Sequence, residues 1–456
     1  MKKTSETEQK PNRISRRKFI ESSGIGLAGA ATISAFPNVI ARPVADDLEI
    51  KVGLIGCGGR GTGAVLDVLH AATKIIYPLD TYHSEDAAEG AKAETNKIKI
   101  VALADLFTDR LEACKLQLKK VGVAVEDKNC FTGFDAYQKL LDIDEINYVI
   151  ITSPPHFHPM HLRATIEAGK NAFVEKPASV DVAGAKSVIE SGELAKQKGL
   201  AIGSGTNRRR DYPNREVIKR IHNGEIGKLK ATYTEFLIGE LWSVDRQPGW
   251  SEMEYQLRNW LYYTYLGGDL IVEQYVHTLD AMNWVNGNHP VKVIALGGRQ
   301  VRTDPKFGNI YDHMSLRYEY PDGVLGFCMD RQINGCTNRV LDTIIGSDGK
   351  ALIGNFVSIV KDSGDQWRYR GEKNNSYQLE HEEIIQSIRD GNPVNEARQV
   401  AESTLTAIMG REAAYSGREI TWDELLKSNQ DYSLAKYELG DMPMPPVAMP
   451  GKYKFV

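Results

Sequence analysis

The chain of 456 residues has few cysteines, no excess of positive charge and no long hydrophobic run. Its five cysteines are odd in number and form no Cys-x-x-Cys pair, which argues against a disulfide framework and a structural zinc site. Lys and Arg total 56 against 60 Asp and Glu, so no basic surface for nucleic acid or a membrane is expected. Hydrophobic residues (42%) and charged residues (25%) have globular proportions, and the length indicates two or three domains.

Residues 1–41 differ in character from the rest of the chain. The sequence Ser-Arg-Arg-Lys-Phe-Ile at 15–20 precedes a Gly- and Ala-rich apolar segment at 24–33. That segment is too short for the roughly 20 residues of a membrane-spanning helix, so no membrane anchor is predicted. The pattern resembles a twin-arginine (Tat) signal peptide. The resemblance implies export of the folded protein to the periplasm by the Tat machinery, with a tightly bound organic cofactor already in place.

A glycine-rich turn follows the first strand predicted after this segment. The β-branched run at 50–55 leads into Gly56, Gly58 and Gly61, and a helix is expected at 62–72. In a dinucleotide-binding turn the first glycine permits the sharp bend, the second admits the pyrophosphate, and the third allows close packing of helix on strand. The helix N-terminus then offers free N–H groups and a positive dipole end to the phosphates.

Asp105 ends the second predicted strand, 97–104. A carboxylate at this position accepts hydrogen bonds from the ribose hydroxyls and repels a 2′-phosphate, which favours NAD over NADP. Its distance from the last glycine is 44 residues, where about 20 is usual. The excess, residues 73–96, is interpreted as an inserted surface loop or helix.

Further strands at 148–152 and 171–174 alternate with a helix at 161–168, which predicts a doubly wound parallel sheet. Ligands of such sheets bind at the carboxyl ends of the strands. The cofactor-binding residues predicted there, besides the glycines, are Arg60, Asp105, Ser153, Pro154, His158 and Glu175.

Together these segments resemble the Gfo/Idh/MocA (glucose-fructose oxidoreductase/inositol dehydrogenase) family. The matching motifs are VGLIGCGGRG, VALADLF, ITSPPHFHPMHLRATIEAGKNAFVEKP and GGDLIVEQYVHTLD, and the resemblance covers nearly all of the chain after residue 41. It implies that Lys176 lies beside the nicotinamide and hydrogen-bonds the reacting hydroxyl. It also implies that His158 and Asn207 lie near the cofactor.

The predicted fold is α/β, with an N-terminal Rossmann domain and a C-terminal α+β domain that carries an open antiparallel sheet. The predicted parts are a signal peptide at 1–41, an NAD-binding domain at 48–204, a domain for substrate and oligomer contacts at 205–430, and an extended arm at 431–456. Period-two alternation predicts strands of the second domain at 230–237, 291–297, 312–320, 324–332 and 339–346. A homo-oligomer is expected.

The family pattern GGGxLxDxGxHxxD appears here in altered form. Glu273 stands at the Asp position and Tyr275 at the Gly before the histidine, while His277 and Asp280 are retained. Residues four apart share one helix face, so Glu273 and His277 are expected to point together to the substrate. Because oxidation of an alcohol requires a base for its proton, the predicted catalytic residues are Lys176, Glu273 and His277. His277 is either an acid/base or a hydroxyl anchor.

Four tyrosines and two tryptophans fall within residues 250–265. They suit either a hydrophobic core or a carbohydrate-binding platform, and Trp260, Tyr265 and the nearby Tyr275 are the substrate-binding candidates. No Cys or acidic ligand accompanies the histidines at 156, 158 and 161, so no metal site is predicted.

These features predict an exported NAD-dependent oxidoreductase that converts a secondary ring hydroxyl of a sugar or glycoside to a keto group. The alternative is an NAD-dependent glycoside hydrolase acting by transient oxidation, elimination and re-reduction. Release of an aglycone distinguishes the two. A cofactor-bearing binding protein without turnover is disfavoured by the presence of both Lys176 and His277.

Overall fold

The computed structural model describes residues 48–78, 81–95 and 97–455, and the predicted signal peptide lies outside them. The strands are, in chain order, β1 (Ile50–Ile55), β2 (Thr73–Ile76), β3 (Ser84–Ala87), β4 (Ile98–Asp105), β5 (Cys130–Thr132), β6 (Tyr148–Ile151), β7 (Asn171–Val174), β8 (Ile202–Ser204), β9 (Leu229–Ile238), β10 (Lys292–Gly298), β11 (His313–Glu319), β12 (Leu325–Gln332), β13 (Arg339–Gly346), β14 (Gly349–Ile353), β15 (Val357–Lys361), β16 (Gln366–Arg368) and β17 (Ile420–Thr421). The α-helices are α1 (Gly59–Val68), α2 (Thr108–Lys120), α3 (Ala136–Leu141), α4 (His158–Glu167), α5 (Val182–Lys198), α6 (Tyr212–His222), α7 (Glu252–Arg258), α8 (Thr264–Gly267), α9 (Leu270–Glu273), α10 (Val276–Asn286), α11 (Ser376–Arg389), α12 (Ala397–Ser416) and α13 (Trp422–Lys427).

The first sheet has the strand order β5-β4-β1-β6-β7-β8, and all its pairs are parallel. Its central strands are apolar runs because both faces are covered by helices. Val52 and Leu54 pack with Val65 of α1 on one face, while Ile151 packs with Leu162 of α4 on the other. The predicted Rossmann architecture is confirmed.

The second sheet has the order β16-β15-β14-β13-β9-β12-β11-β10-β17 and is antiparallel except for the parallel pair β9–β12. In β11, the side chains of Met314, Leu316 and Tyr318 are buried, whereas Ser315 and Arg317 between them are exposed. The buried face packs on α12, as expected for a sheet with one solvated face. The predicted open, mostly antiparallel sheet is confirmed, and β14, β15 and β16 extend it beyond the predicted strands.

Within the segment predicted to be an inserted loop or helix, Thr73–Ile76 and Ser84–Ala87 instead pair as an antiparallel hairpin of β2 and β3. The β-branched residues Thr73, Ile75 and Ile76 favour that conformation. The helices α11 and α12 lie within the predicted second domain, 205–430, and also pack on the first sheet. Ile384 of α11 and Val400 of α12 belong to the hydrophobic cores of the first sheet.

The C-terminal segment 431–455, which the sequence analysis predicts to be an extended arm, contains no helix or strand. It lies along its own chain, with Ala448 and Phe455 buried in the core of the second sheet. The Tyr437 hydroxyl lies 3.0 Å from Nε2 of His156. Within the described ranges, no helix combines the length and apolar character that crossing a bilayer requires.

Candidate active site

Three adjoining cavities follow the carboxyl edge of the parallel sheet, and we call them together the channel. The first begins at Asp105 and Tyr137, and the second is lined by the glycine turn Gly56–Gly59. The third has a volume of about 400 Å³ and is lined by Lys176 and His277. Neighbouring cavities share wall residues, so the channel is continuous. It runs from the end of β4 to the cavity that Lys176 and His277 line.

The glycine turn has the geometry that a dinucleotide requires. Gly56 has φ +98°, a conformation that favours glycine. A Cβ atom at Gly61 would overlap the carbonyl oxygen of Gly56, so the third glycine permits the contact of α1 with the turn. A Cβ at Gly58 would meet no protein atom within 4 Å. Open space therefore lies before the N-terminus of α1, where a pyrophosphate fits.

Asp105 ends β4 and lines the first two cavities. Its Oδ2 accepts a hydrogen bond from the Cys57 N–H (2.6 Å), and its Oδ1 accepts one from the Phe107 N–H (2.8 Å). Burial raises the pKa of Asp105, while Arg110 and the two N–H groups act in the opposite direction. The hydrogen bonds fix the carboxylate, and each oxygen keeps a lone pair for a ribose hydroxyl. The residues present thus fit a dinucleotide.

Arg60 organises the wall of the second and third cavities. Its guanidinium lies 2.6 Å from Asp67, 2.9 Å from Glu85 and 3.5 Å from Glu175, and 4.7 Å from the ring centre of Tyr377. Burial raises the pKa of Glu175, against the opposing effect of Arg60. Arg60 and Glu175 both line the channel as part of this charged network.

The other predicted cofactor residues lie at different depths. Ser153 lines all three cavities and Pro154 the first two. The ring nitrogens of His158 lie 2.7 Å from the Pro177 carbonyl oxygen and 2.6 Å from that of Ser153, and burial lowers its pKa to about 4. The neutral ring has one N–H and donates to one of these two carbonyl oxygens. The contact of His158 with the cofactor stays a prediction. Asn207 is not among the lining residues of the channel, and its buried Oδ1 has no hydrogen-bond partner in the described part of the chain.

Lys176 and Glu273 form an ion pair at the third cavity. Nζ of Lys176 donates to Oε1 of Glu273 (2.9 Å) and to its carbonyl oxygen (2.7 Å). The two side chains are 12% and 8% exposed, so the pair is largely desolvated. Gln274 donates to the other carboxylate oxygen of Glu273 at 2.5 Å. An ammonium donates three hydrogen bonds, and two are committed to Glu273.

His277 lies in the first turn of α10 and lines the same cavity. Its imidazole has no hydrogen-bond partner among the described residues. Burial, with Lys176 and Arg208 nearby, lowers the pKa of His277 well below its usual value. The ring is therefore neutral near pH 7 and can accept a hydrogen bond. Asp280, one turn further, is buried and paired instead with both nitrogens of the Arg209 fork.

The structure separates the three predicted substrate residues. Trp260 lines the second and third cavities, in edge contact with Trp242. Tyr275 is fully buried, and its hydroxyl lies 2.5 Å from the hydroxyl of Thr234. Tyr265 is also buried, and its hydroxyl donates to Gln256. The aromatic segment is thus mostly core, and Trp260 is the predicted residue at the cavity wall.

The histidines at 156, 158 and 161 do not share a ligand position. Nδ1 of His156 contacts the Tyr265 carbonyl oxygen, and Nδ1 of His161 lies 3.0 Å from the Ser153 hydroxyl. No group of three or more potential ligands that could hold a metal ion occurs in ranges 48–78, 81–95 and 97–455.

Several wall residues were not predicted. Gln274 directly follows a predicted residue, but the others come from distant segments that carry no local signal. Tyr377 begins α11, Trp242 follows β9, and the hairpin supplies two aromatic rings to the third cavity. The lining residues of the third cavity that the sequence did not predict include Tyr77, His83, Glu85, Trp242, Gln274 and Tyr377.

Family models match both sheets of the protein. The model described as an oxidoreductase family with an NAD-binding Rossmann fold matches residues 50–206, and the Gfo/Idh/MocA C-terminal domain matches residues 214–351.

Individual relatives are distant. A glycosyl hydrolase family 109 protein of Shewanella pealeana is 26% identical over 266 residues, which cover 54% of this chain and 52% of that protein. The chain thus spans about half the length of these relatives. A myo-inositol 2-dehydrogenase of Thermotoga maritima is 24% identical over 75% of this chain and 90% of its own. The aldose-aldose oxidoreductase of Caulobacter crescentus, solved with glycerol, shares the fold with a TM-score of 0.62 at 17% identity, covering 82% of this chain and 99% of its own. With its glycine turn, its Glu-Lys-Pro segment and both domain matches, the chain belongs to the Gfo/Idh/MocA family of NAD-binding oxidoreductases.

Proposed function

We propose that the protein is an exported NAD-dependent oxidoreductase that converts a secondary ring hydroxyl of a sugar or glycoside to a keto group. The observation that carries this proposal is the channel. One end has a fixed carboxylate suited to ribose, and the other brings Lys176, Glu273 and His277 to a cavity of about 400 Å³. The middle section passes the glycine turn. A dinucleotide in the channel therefore brings its reactive ring to the acid–base residues.

NAD, when bound, supplies a hydride acceptor. The residues that would hold it are Asp105 at the ribose, the glycine turn at the phosphates and Ser153 along the wall. The carboxylate of Asp105 supports NAD over NADP, because it would repel a 2′-phosphate. Retention without exchange suits export in the folded state, as the apparent Tat signal implies, and a second carbonyl substrate would then return the hydride.

We assign the proton of the reacting hydroxyl to the Lys176–Glu273 pair. The ammonium of Lys176 first passes one proton to Oε1 of Glu273, 2.9 Å away, and the neutral amine then takes the hydroxyl proton as the hydride leaves. The contacts of Nζ with the carboxylate and the carbonyl oxygen of Glu273 keep the amine in place in a desolvated site and leave its remaining position for substrate. His277, neutral because its pKa is lowered, accepts a hydrogen bond from a neighbouring hydroxyl and orients the ring.

A carbohydrate suits the walls of the third cavity. Trp242 and Trp260 offer aromatic surface on one side. The carboxylates of Glu85, Glu175 and Glu273 line the same cavity and suit hydroxyl donors. The relatives named myo-inositol dehydrogenase and aldose-aldose oxidoreductase point to the same polyhydroxylated class.

A second candidate is glycoside hydrolysis by transient oxidation, elimination and re-reduction. It is favoured by the relatives named glycosyl hydrolase family 109 proteins. The same channel and Lys176 serve its redox steps.

Product analysis separates the two candidates. The NAD-loaded protein is incubated with nitrophenyl glucosides and galactosides, and the products are trapped with borodeuteride and identified by mass spectrometry. Accumulated keto-glycoside supports the oxidoreductase. Free nitrophenol, with an unoxidised sugar and no lasting change in NAD, supports the hydrolase. If neither product forms from any polyol tested, both candidate functions are contradicted.

We further propose a homo-oligomer formed through the solvated face of the second sheet. Strand β10 exposes Leu296 (78%) and Ile294 (44%) on it, and β12 and β9 expose Met329 (44%) and Tyr233 (41%) on the other side of β11. Such an apolar patch on the surface marks an interaction site. Arg317 also lies on this face, in register with Ile294. We propose that this face packs on the same face of a second copy of the chain, related to the first by a two-fold axis.

Leu296→Glu is expected to convert this oligomer to monomers, because it places a charge at the most exposed apolar side chain of this face. Light scattering after gel filtration measures the mass, and Leu116→Glu on α2, which alters a side chain 55% exposed in the first domain, is the control. A wild-type protein that is monomeric at micromolar concentration, or an unchanged mass for Leu296→Glu, would refute the interface.

A further inference from the structure

The β2–β3 hairpin packs directly on the glycine turn and its helix. The carbonyl oxygen of His83 occupies the space that a Cβ atom at Gly59 would need, and the carboxylate of Glu85 occupies that of Gly63. These two glycines are not among the three that the dinucleotide fingerprint requires. The sequence thus carries two additional glycines in α1, and their role in the fold is to admit the hairpin.

A buried ion pair fastens the hairpin in this position. Glu85 is 5% exposed, and its Oε2 lies 2.9 Å from NH1 of Arg60. Arg60 in turn contacts Asp67 of α1 and Glu175 after β7. Breaking a buried pair is costly because it leaves a charge without compensation. The hairpin is therefore bound both to the glycine turn and to the catalytic segment.

The hairpin side of the channel also carries aromatic contacts. Tyr82 lies over the guanidinium of Arg110, 4.8 Å from the ring centre. Tyr82 and His83 line the same cavity as Gly58, together with Trp242 and Trp260 from the second domain. The space before the glycine turn is thus enclosed by the hairpin and by the two tryptophans.

We propose that the hairpin is a closed cap over the phosphate end of the channel, and that Glu85 is the residue that keeps it closed. The bound dinucleotide leaves only when the Glu85–Arg60 contact opens, so exchange with free nucleotide is slow compared with hydride transfer. The inference rests on the proposed function, since it takes NAD as the occupant of the channel.

Nucleotide exchange tests the cap without measuring turnover. Wild type, Glu85→Gln and the control Glu89→Gln, whose side chain is exposed just after β3, are loaded with NAD and mixed with excess isotopically labelled NAD. Mass spectrometry then follows the bound fraction over time. We expect exchange to be at least tenfold faster in Glu85→Gln and within twofold of wild type in Glu89→Gln.

Tyr82→Ala provides a second test that leaves the buried ion pair intact and serves if Glu85→Gln does not fold. It removes the ring over Arg110, and we expect exchange at least threefold faster than in wild type. If Glu85→Gln exchanges nucleotide at the wild-type rate, the proposed cap is refuted. If Glu85→Gln does not fold, a wild-type rate in Tyr82→Ala refutes it. A wild-type protein that binds no NAD would instead overturn the proposed function.

Discussion

Replacing Lys176 with methionine is expected to lower the rate of hydride transfer by about 10²- to 10⁴-fold, the usual contribution of a positioned acid or base. Methionine keeps much of the side-chain length but donates no hydrogen bond to Glu273 or to a substrate hydroxyl. The rate is measured in a single turnover from the absorbance of reduced nucleotide at 340 nm. Since Lys176 does not line the first two cavities, NAD binding should persist.

The matched control is Lys228→Met, which makes the same change at an exposed lysine of the second domain. It should react at the wild-type rate. Nucleotide content, measured for each variant, separates a loss of chemistry from a loss of binding. Full hydride transfer in Lys176→Met would refute the catalytic assignment.

His277→Gln is expected to reduce the oxidation rate by about 10- to 100-fold, at the lower end of acid–base effects. Glutamine preserves a hydrogen-bonding side chain but not the geometry of the imidazole. The pKa of His277 is lowered well below its usual value of about 6.5, so the wild-type ring stays neutral as pH falls from 8 to 6. A fall in rate between pH 8 and pH 6, the acid limb of the profile, therefore reports the titration of another group. Its midpoint should be the same in both proteins.

The pH profile of kcat, measured from pH 5.5 to 9, tests this role. A rate loss with an unchanged midpoint identifies His277 as a neutral hydroxyl anchor. If the acid limb near pH 6.5 disappears in His277→Gln, the imidazole titrates in that range and acts as the proton acceptor instead.

The sequence predicted the parts of the site that depend on local pattern. The strand at 50–55 and the three glycines follow from the spacing of a strand–turn–helix unit. Asp105 follows from its place at the end of the next strand, since its distance of 44 residues from Gly61 departs from the usual 20 or so. Glu273 and His277 line one cavity as predicted, although not on one helix. Glu273 ends α9 and His277 lies in the first turn of α10, so the predicted single helix is interrupted between them. Tyr275 lies in that interruption, and its hydroxyl contacts Thr234 of β9 instead of the cavity.

The remaining wall depends on tertiary packing that no local pattern encodes. Trp260 and Tyr265 belong to one aromatic segment, yet Trp260 lines the channel and Tyr265 is in the core. Tyr377 reaches Arg60 from a helix more than 300 residues later in the chain. The hairpin shows the same limit, because only its packing on α1 reveals why Gly59 and Gly63 are glycines.

The most direct test of the central claim is whether a carbohydrate hydroxyl reduces a dinucleotide held in the channel. The purified protein is analysed for bound nucleotide by mass spectrometry, loaded with NAD if necessary, and mixed with simple glycosides while the absorbance at 340 nm is followed. We predict a rise equivalent to the bound NAD, together with a keto-sugar, and no rise in Lys176→Met. A protein that neither retains nor binds NAD, or that leaves it oxidised with every polyol tested and forms no product, would contradict the claim.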